Sequence, residues 1–416
     1  MRSARLVWLC VLALPLGSCA TDEPAPDVWA PPVPASCGTV VRPSLGTLLR
    51  WPYLGDVGPD SITIAWGTAP GAESAARFGL DAAVASSAHT GVQSVSIGDE
   101  VIDLHHARLT GLSPNTEYCY AIELGGVTAA AGLSFRTAPG RDDATVRFTA
   151  LGDFGSGAPG QLPIRDVMTE WMPQTDLWMT TGDNAYGDGD WDEWQRNVFD
   201  VYRDHFVGKP HYMVPGNHDY KTERAAPMLA NLFLPENATR PEDRERYWSF
   251  DWGPVHFIGL DSEESINVTG DDDMVDWLAA DLAANDKPWT IMLWHHPVVT
   301  GHPSRTGNIL VIGRVLPLVQ EHGVDLVLVG HDHFYERFER LWFTDFVPAE
   351  DPSGFAFVIT GGGGQPAYDA SHELDAFQAS INHFVHVEVS PCDLTLQAVS
   401  IDNEVIDTYR ANKCAE

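Results

Sequence analysis

Between residues 152 and 333 the chain carries five short clusters that pair glycine or proline with side chains able to hold a metal ion. They are GDFG from Gly152, GDNAY from Gly182, GNHD from Gly216, HHP from His295 and GHDH from Gly330. Asp153, Asp183, Tyr186, Asn217, His295, His331 and His333 supply carboxylates, imidazoles, an amide oxygen and a phenol, with no thiolate. That donor set suits Fe, Mn or Zn better than a soft metal. It also exceeds what one tetrahedral or octahedral ion can take while leaving a position for substrate, so two ions are implied, at the ~3.5–4 Å spacing usual for such pairs. Taken singly, each cluster reads as a turn in which Gly gives backbone freedom and Asp caps. The chemistry rests on all five converging.

Convergence is a matter of the elements that precede them. Each cluster follows an apolar strand-like run: VRFTAL, DLWMTT, HYMV, WTIMLW and VDLVLV in turn, with VHFIGL a further strand. Between these runs, IRDVMTEWM, DEWQRNVFDVYRDHF, DDMVDWLAADLAAN and NILVIGRVLPLVQEHG have the length and periodicity of helices. Such alternation predicts an α/β sheet, and in open α/β sheets ligands collect outside the carboxyl ends of the strands. After residue 354 the texture returns to strands, with FAFVIT, FVHVEV, LTLQAVS and VIDTYR.

The amino-terminal part is built differently. Arg2 and Arg5, the apolar run Leu6 to Leu16 and small residues ending at Cys19 read as an export signal over residues 1–19, too short to span permanently. Leu16, Gly17, Ser18 and Cys19 look like a lipoprotein processing site that would lipidate Cys19 and tether the body to a membrane. Gly then Ser is an imperfect version of that site, and simple cleavage nearby is the alternative. Residues 20–42 are rich in proline and alanine and read as an extended spacer. Residues 43–138 alternate short apolar runs with turn signals, the pattern of a small all-β sandwich, and TAPGRDD links it to the α/β part of the chain. His105 and His106 in that stretch read as packing or capping residues. Cys37, Cys119, Cys392 and Cys414 form an even set in an exported chain, which favours disulfides in one of three pairings. Cys37 with Cys119 and Cys392 with Cys414 is the preferred pairing, because each then stays within one domain.

At 416 residues the chain is long enough for two domains, and its 44% apolar content supports real cores. The 58 acidic against 25 basic residues give a net charge of −33, which disfavours a nucleic-acid scaffold role. It does not exclude a small anionic substrate, since bound cations would invert the local field. Oligomeric state is not legible.

GDFG, GDNAY, GNHD, the first His of LWHHP and GHDH together resemble the five motif blocks of the purple acid phosphatases, within the wider metallophosphoesterases. RWPYLGDVGPDSITIAWGT and the later HHARLTGLSPNTEYCYAIEL resemble the fibronectin type III-like domain that precedes the catalytic domain in that family. The resemblance implies a fibronectin type III-like β sandwich followed, over 144–412, by an α/β metallophosphoesterase domain of two packed mixed sheets flanked by helices. Carried over, it implies that Asp153, Tyr186 and His333 bind a first ion, Fe(III). Asn217, His295 and His331 would bind a second, divalent Fe, Zn or Mn, with Asp183 bridging. Tyr186 separates this family from ordinary metallophosphoesterases. Met292 stands where the family usually has Val, an apolar exchange within a strand. The doubled His295 and His296 leave open which is the ligand, although the His two positions before Pro is the family's.

The implied reaction is hydrolysis of phosphate monoesters by hydroxide from a water acidified by two cations, which also hold the phosphoryl oxygens. His218 matches the position credited with giving a proton to the leaving group, and Asp219 is placed to orient its ring. His302 is a second candidate for phosphate binding or proton donation, against an exposed loop histidine. Arg305 offers phosphate contact, against a solvated surface arginine, and His296 is a further substrate-side residue. A phosphodiesterase or nucleotide hydrolase on the same core is the rival reading. A surface binding protein with a spent enzyme domain is the reading from another class.

Overall fold

A computed structural model describes residues 35–43, 47–98, 100–263 and 273–414. The export signal, Cys19 and the spacer up to residue 34 lie outside the described residues. Among the described residues no helix is long and apolar enough to cross a membrane.

The first domain is a sandwich of two four-stranded antiparallel sheets. One runs Arg50–Gly55, Ser61–Thr68, Glu100–Thr110, Gly91–Ile97, and the other Ser86–Ala88, Ser74–Gly79, Glu117–Leu124, Val127–Arg136. Trp66, Leu104, Tyr120 and Phe135 are buried between them, as period-two strands with one apolar face require. The sandwich takes in more chain than the sequence suggested. Cys37 pairs with Cys119, and Val41 forms a two-way backbone bridge with Ala131, so the last residues read as spacer are fastened to the sandwich.

The second domain packs two mixed sheets face to face. The first has parallel strands Val146–Leu151, Leu177–Thr180 and His211–Met213, extended antiparallel by His383–Val389, Asp393–Ser400 and Val405–Asn412. In the second, Val255–Gly259, Trp289–Leu293, Leu326–Val329 and Phe355–Thr360 are parallel, flanked by antiparallel Trp248–Trp252 and the hairpin Tyr335–Thr344, Val347–Glu350. Their facing sides share one core, in which Phe148 and Phe257 meet edge to face at 5.2 Å. Cys392 pairs with Cys414 and pins the end of the last strand.

Two predicted helices are broken. DEWQRNVFDVYRDHF becomes a turn at Trp191–Glu193, a π-helical stretch Trp194–Phe199 and a short helix Arg203–Phe206. The wide turn lets Gln195 and Phe199 meet Arg50 of the sandwich while Asn197 reaches inward to the Tyr186 carbonyl. NILVIGRVLPLVQEHG splits into Ile309–Arg314 and Leu316–Glu321, where Pro317 lacks the amide that would continue the first helix.

Candidate metal centre

All five clusters leave the carboxyl ends of neighbouring parallel strands, and the ends of the two sheets are laced together. Gly152 N–H donates to the Thr360 carbonyl at 2.8 Å, and His331 N–H donates to Asp153 Oδ2 at 2.9 Å. The loops approach so closely that side chains are not tolerated at their glycines. A Cβ on Gly182 would lie 2.6 Å from His295 Nδ1, and one on Gly216 would lie 2.2 Å from Asp183 N. Three donor-bearing residues take left-handed backbone, Asp153 at φ 59°, Asp183 at 50° and His331 at 70°. Such conformations cost on the order of 1–3 kcal/mol each and gather where function demands them.

The seven donors meet in two groups. Tyr186 Oη donates to Asp153 Oδ1 at 2.7 Å and to Asp183 Oδ2 at 3.0 Å, and His333 Nε2 lies 3.4 Å from Asp153 Oδ1. On the other side Asn217 Oδ1 lies 2.9 Å from His331 Nδ1 and 3.2 Å from His295 Nε2. Asp183 touches both groups, since its Oδ1 is 3.4 Å from His295 Nε2. Donor atoms of Asp153, Asp183 and His295 lie within 4.8 Å of one another, as do those of His295, His296 and His331. Carboxylate and amide oxygens, a phenol and ring nitrogens gathered this closely are a donor set that fits cations.

The doubled histidine divides by its partners. His295 gives Nδ1 to the Thr181 carbonyl at 2.8 Å and turns Nε2 inward, the second contact usual for a metal-binding imidazole. His296 has both nitrogens engaged, Nδ1 at 3.1 Å from Ser262 Oγ and Nε2 at 3.2 Å from Glu263.

Electrostatics follow from this crowding. Burial raises the Tyr186 phenol, and the Asp153 and Asp183 charges raise it further, so only a cation would make it a phenolate. Burial opposes charge on His295, yet contact with Asp183 pulls the ring up to about 10. Burial, then the charge of His295, pushes His331 far down and His296 down to about 3. The Asp183 carboxyl resists its burial and stays below the usual range because His295 and His218 face it.

Asp219 does not orient His218, contrary to the expectation from sequence. It is fully buried and accepts from the backbone amides of Asn184, Ala185 and Gly216 and from the Asn184 side chain, which ties the GDNAY and GNHD loops together. Burial and the nearby Asp183 raise it to about 7. The His218 ring instead sets Nδ1 at 2.6 Å from the Gly187 carbonyl, lies over Tyr186 at 4.2 Å between centroids, and brings Nε2 to 4.0 Å from Asp183 Oδ2.

His302 and Arg305 both border the centre. His302 stands edge-on to Tyr368 at 5.0 Å, and Tyr368 in turn packs on His333 at 5.1 Å. Arg305 is not a free surface arginine: it pairs with buried Asp332 and donates to the His331 carbonyl at 2.8 Å. Sequence reasoning missed Tyr368, Ser262 and Glu263. For the last two a signal existed, because Asp261, Ser262 and Glu263 follow the strand Val255–Gly259 as the five clusters follow theirs.

Residues 146–335 match the family described as Calcineurin-like phosphoesterase, and residues 53–137 match the Purple acid Phosphatase, N-terminal domain. Both matches, and their order along the chain, are what this chain shares with the purple acid phosphatases. Purple acid phosphatase 22 of Arabidopsis thaliana is 27% identical over 63% of this chain and 58% of its own length. Acid phosphatase type 7 of Mus musculus is 27% identical over 75% of this chain and 76% of its own. The fold is shared with a purple acid phosphatase from yellow lupin (Lupinus luteus) seeds, at a TM-score of 0.75 and 20% identity over 87% of this chain and 74% of that one. The aligned stretch spans 51% to 62% of the length of several curated relatives. The family's two-domain order, sandwich then phosphoesterase domain, is the order found here.

Proposed function

We propose that this chain hydrolyses phosphate monoesters at a dinuclear metal centre. Asp153, Tyr186 and His333 would hold the first ion, Asn217, His295 and His331 the second, and Asp183 both. The observation that carries the reading is the place of Asp183, one oxygen 3.0 Å from the phenol of one group and the other 3.4 Å from the imidazole of the second. A ferric ion beside a divalent Fe, Zn or Mn suits a phenol with mixed N and O donors. When bound, the ions supply positive charge for the phosphoryl oxygens and acidify water.

The chain's own residues place the substrate and handle its proton. His218 is seated by the Gly187 carbonyl with Nε2 toward the centre, where it can pass a proton to the leaving oxygen. His302 and Arg305 stand on the rim on the His333 side, where imidazole and guanidinium N–H groups suit a phosphate. His296, held neutral by burial and braced by Ser262 and Glu263, keeps the His295 and His331 side in place. The two disulfides support an exported protein, and a lipid tether at Cys19 is proposed on the sequence alone.

The test compares an aryl phosphate with its diester, using purified wild-type protein and Asp183→Asn. Wild type should favour the monoester, and the variant should lose metal and turn over neither ester. A faster diester reaction would transfer the chain to the rival reading, and wild-type activity in Asp183→Asn would refute the shared-ligand role.

A further inference from the structure

One short stretch of chain, Trp191–Phe199, grips the backbone that follows Tyr186. Glu193 Oε1 accepts from Gly187 N–H at 2.5 Å, and Oε2 accepts from Asp188 N–H at 2.8 Å and Asp190 N–H at 3.2 Å. One turn on, Asn197 Nδ2 donates to the Tyr186 carbonyl at 3.2 Å. Both polar groups of the peptide joining Tyr186 to Gly187 are therefore held by the same stretch.

Glu193 also forms a capping box with Asp190, whose side chain accepts from Glu193 N–H at 2.8 Å. Capping does not account for the rest. The capping bond to Asp190 N–H is the longest of the three that Glu193 accepts, and the shorter two go to the loop beyond the cap. Glu193 is 8% exposed, and these amide bonds keep its carboxyl below the usual range despite burial.

The next peptide carries the grip to the opposite side of the centre. In a trans peptide N–H and C=O point in opposite directions. With Asp188 N–H fixed on Glu193, the Gly187 carbonyl is aimed away from it, at His218 Nδ1 2.6 Å away. Lys221 Nζ joins the same carbonyl at 2.7 Å. One carboxylate thus sits behind two groups that face each other across 4.2 Å, the Tyr186 ring and the His218 ring.

We infer that Glu193 and Asn197 are positioning residues: Asn197 with Glu193 sets where the Tyr186 phenol stands, and Glu193, through the Gly187 carbonyl, sets the direction of the His218 ring. The inference rests on the dinuclear reading above, in which Tyr186 binds iron and His218 serves the leaving group. Partners that orient metal-binding groups typically matter about 10- to 100-fold in affinity or activity.

Glu193→Gln keeps the volume and replaces one accepting oxygen with an amide that cannot accept. In iron-loaded protein it should move the phenolate-to-iron absorption band and slow esters with poor leaving groups about 10-fold, with KM little changed. Asn197→Ala should move the band and leave the dependence on leaving group as in wild type. A merely structural role would lower Tm in both variants and leave the band where it was. A folded Glu193→Gln protein with the wild-type band and wild-type leaving-group dependence overturns the inference; if that variant does not fold, an unmoved band in Asn197→Ala does so. Wild-type protein that shows no such band when loaded with iron sinks the dinuclear reading itself, a different failure.

Discussion

At the scale of single residues, the centre is a set of metal-competent donors gathered from five loops and partnered with one another. Asp153 and Asp183 share one phenol, and the rings of His295, His296 and His331 meet edge-on or tilted with centroids within 5.1 Å of each other. His218 differs from these, since its ring is held by a backbone carbonyl, Lys221 and the Tyr186 ring and approaches Asp183 no closer than 4.0 Å. Removing it should leave both ions bound. His218→Ala is expected to slow esters with poor leaving groups by about 10²-fold, the scale of general acid catalysis, and good ones far less. Metal content by elemental analysis and a plot of rate against leaving-group pKa check this; equal slowing for every ester would remove the proton from its role. The donors were legible in the sequence because each side chain follows a glycine at a strand end. Asp219 was misread because adjacency in sequence suggested a partner, while burial recruited it to three backbone amides instead. Tyr368 was invisible because nothing local marks a loop tyrosine, and only folding brings it against His302 and His333.

At the scale of elements, parallel strands were readable from continuous apolar runs, whereas the helices between them were overread. Amphipathic period predicts a helix but not its interruption, and the break at Trp194–Phe199 is set by contacts made on two sides at once. Strand Trp248–Trp252 went unnoticed because Asp251 is a charge in its middle, and that charge has a use. His256 on the neighbouring strand lies 2.7 Å from Asp251 and 2.8 Å from Asp281 on the helix Asp273–Ala284. Burial works against its charge, yet the two carboxylates lift it to about 9. A raised value means the stabilisation is complete below the unfolded value near 6.5 and is lost as pH climbs through about 9. His256→Gln should therefore cost about 1–2 kcal/mol at pH 6, allowing for the half-exposed Asp251, and close to nothing at pH 10. Denaturation at the two pH values decides it, and an equal loss at both would rule out the charged triad.

At the scale of the whole molecule, the sandwich and the phosphoesterase domain share one core instead of hanging on a linker. Strand Arg50–Gly55 lies against the elements that come after the GDNAY and GNHD loops. Arg50, 1% exposed, donates to Asn231 Oδ1 at 2.5 Å and Gln195 Oε1 at 2.9 Å and covers Phe199 at 3.9 Å. Tyr53 Oη donates to the Asn231 carbonyl at 2.6 Å, and Tyr120 Oη to that of Val207 at 2.6 Å. The sequence showed two domains but not this union, because an arginine at the start of a strand carries no sign that it will be buried. Arg50→Ala strands two amide acceptors and should destabilise the protein by about 2–4 kcal/mol. Chemical denaturation followed in both domains measures it, and a loss under about 0.5 kcal/mol would mean the interface is incidental. With 58 acidic against 25 basic residues the exterior repels anions, so under the proposed function bound cations would have to supply the attraction for a phosphate.

The most direct measurement is elemental analysis of the purified chain together with its visible absorption spectrum. Two metal ions per chain, one of them iron, with a phenolate-to-iron band that disappears in Tyr186→Phe, is the result expected. A chain that hydrolyses phosphate esters with one ion or none, or whose band survives the loss of Tyr186, would contradict the shared cage of seven donors.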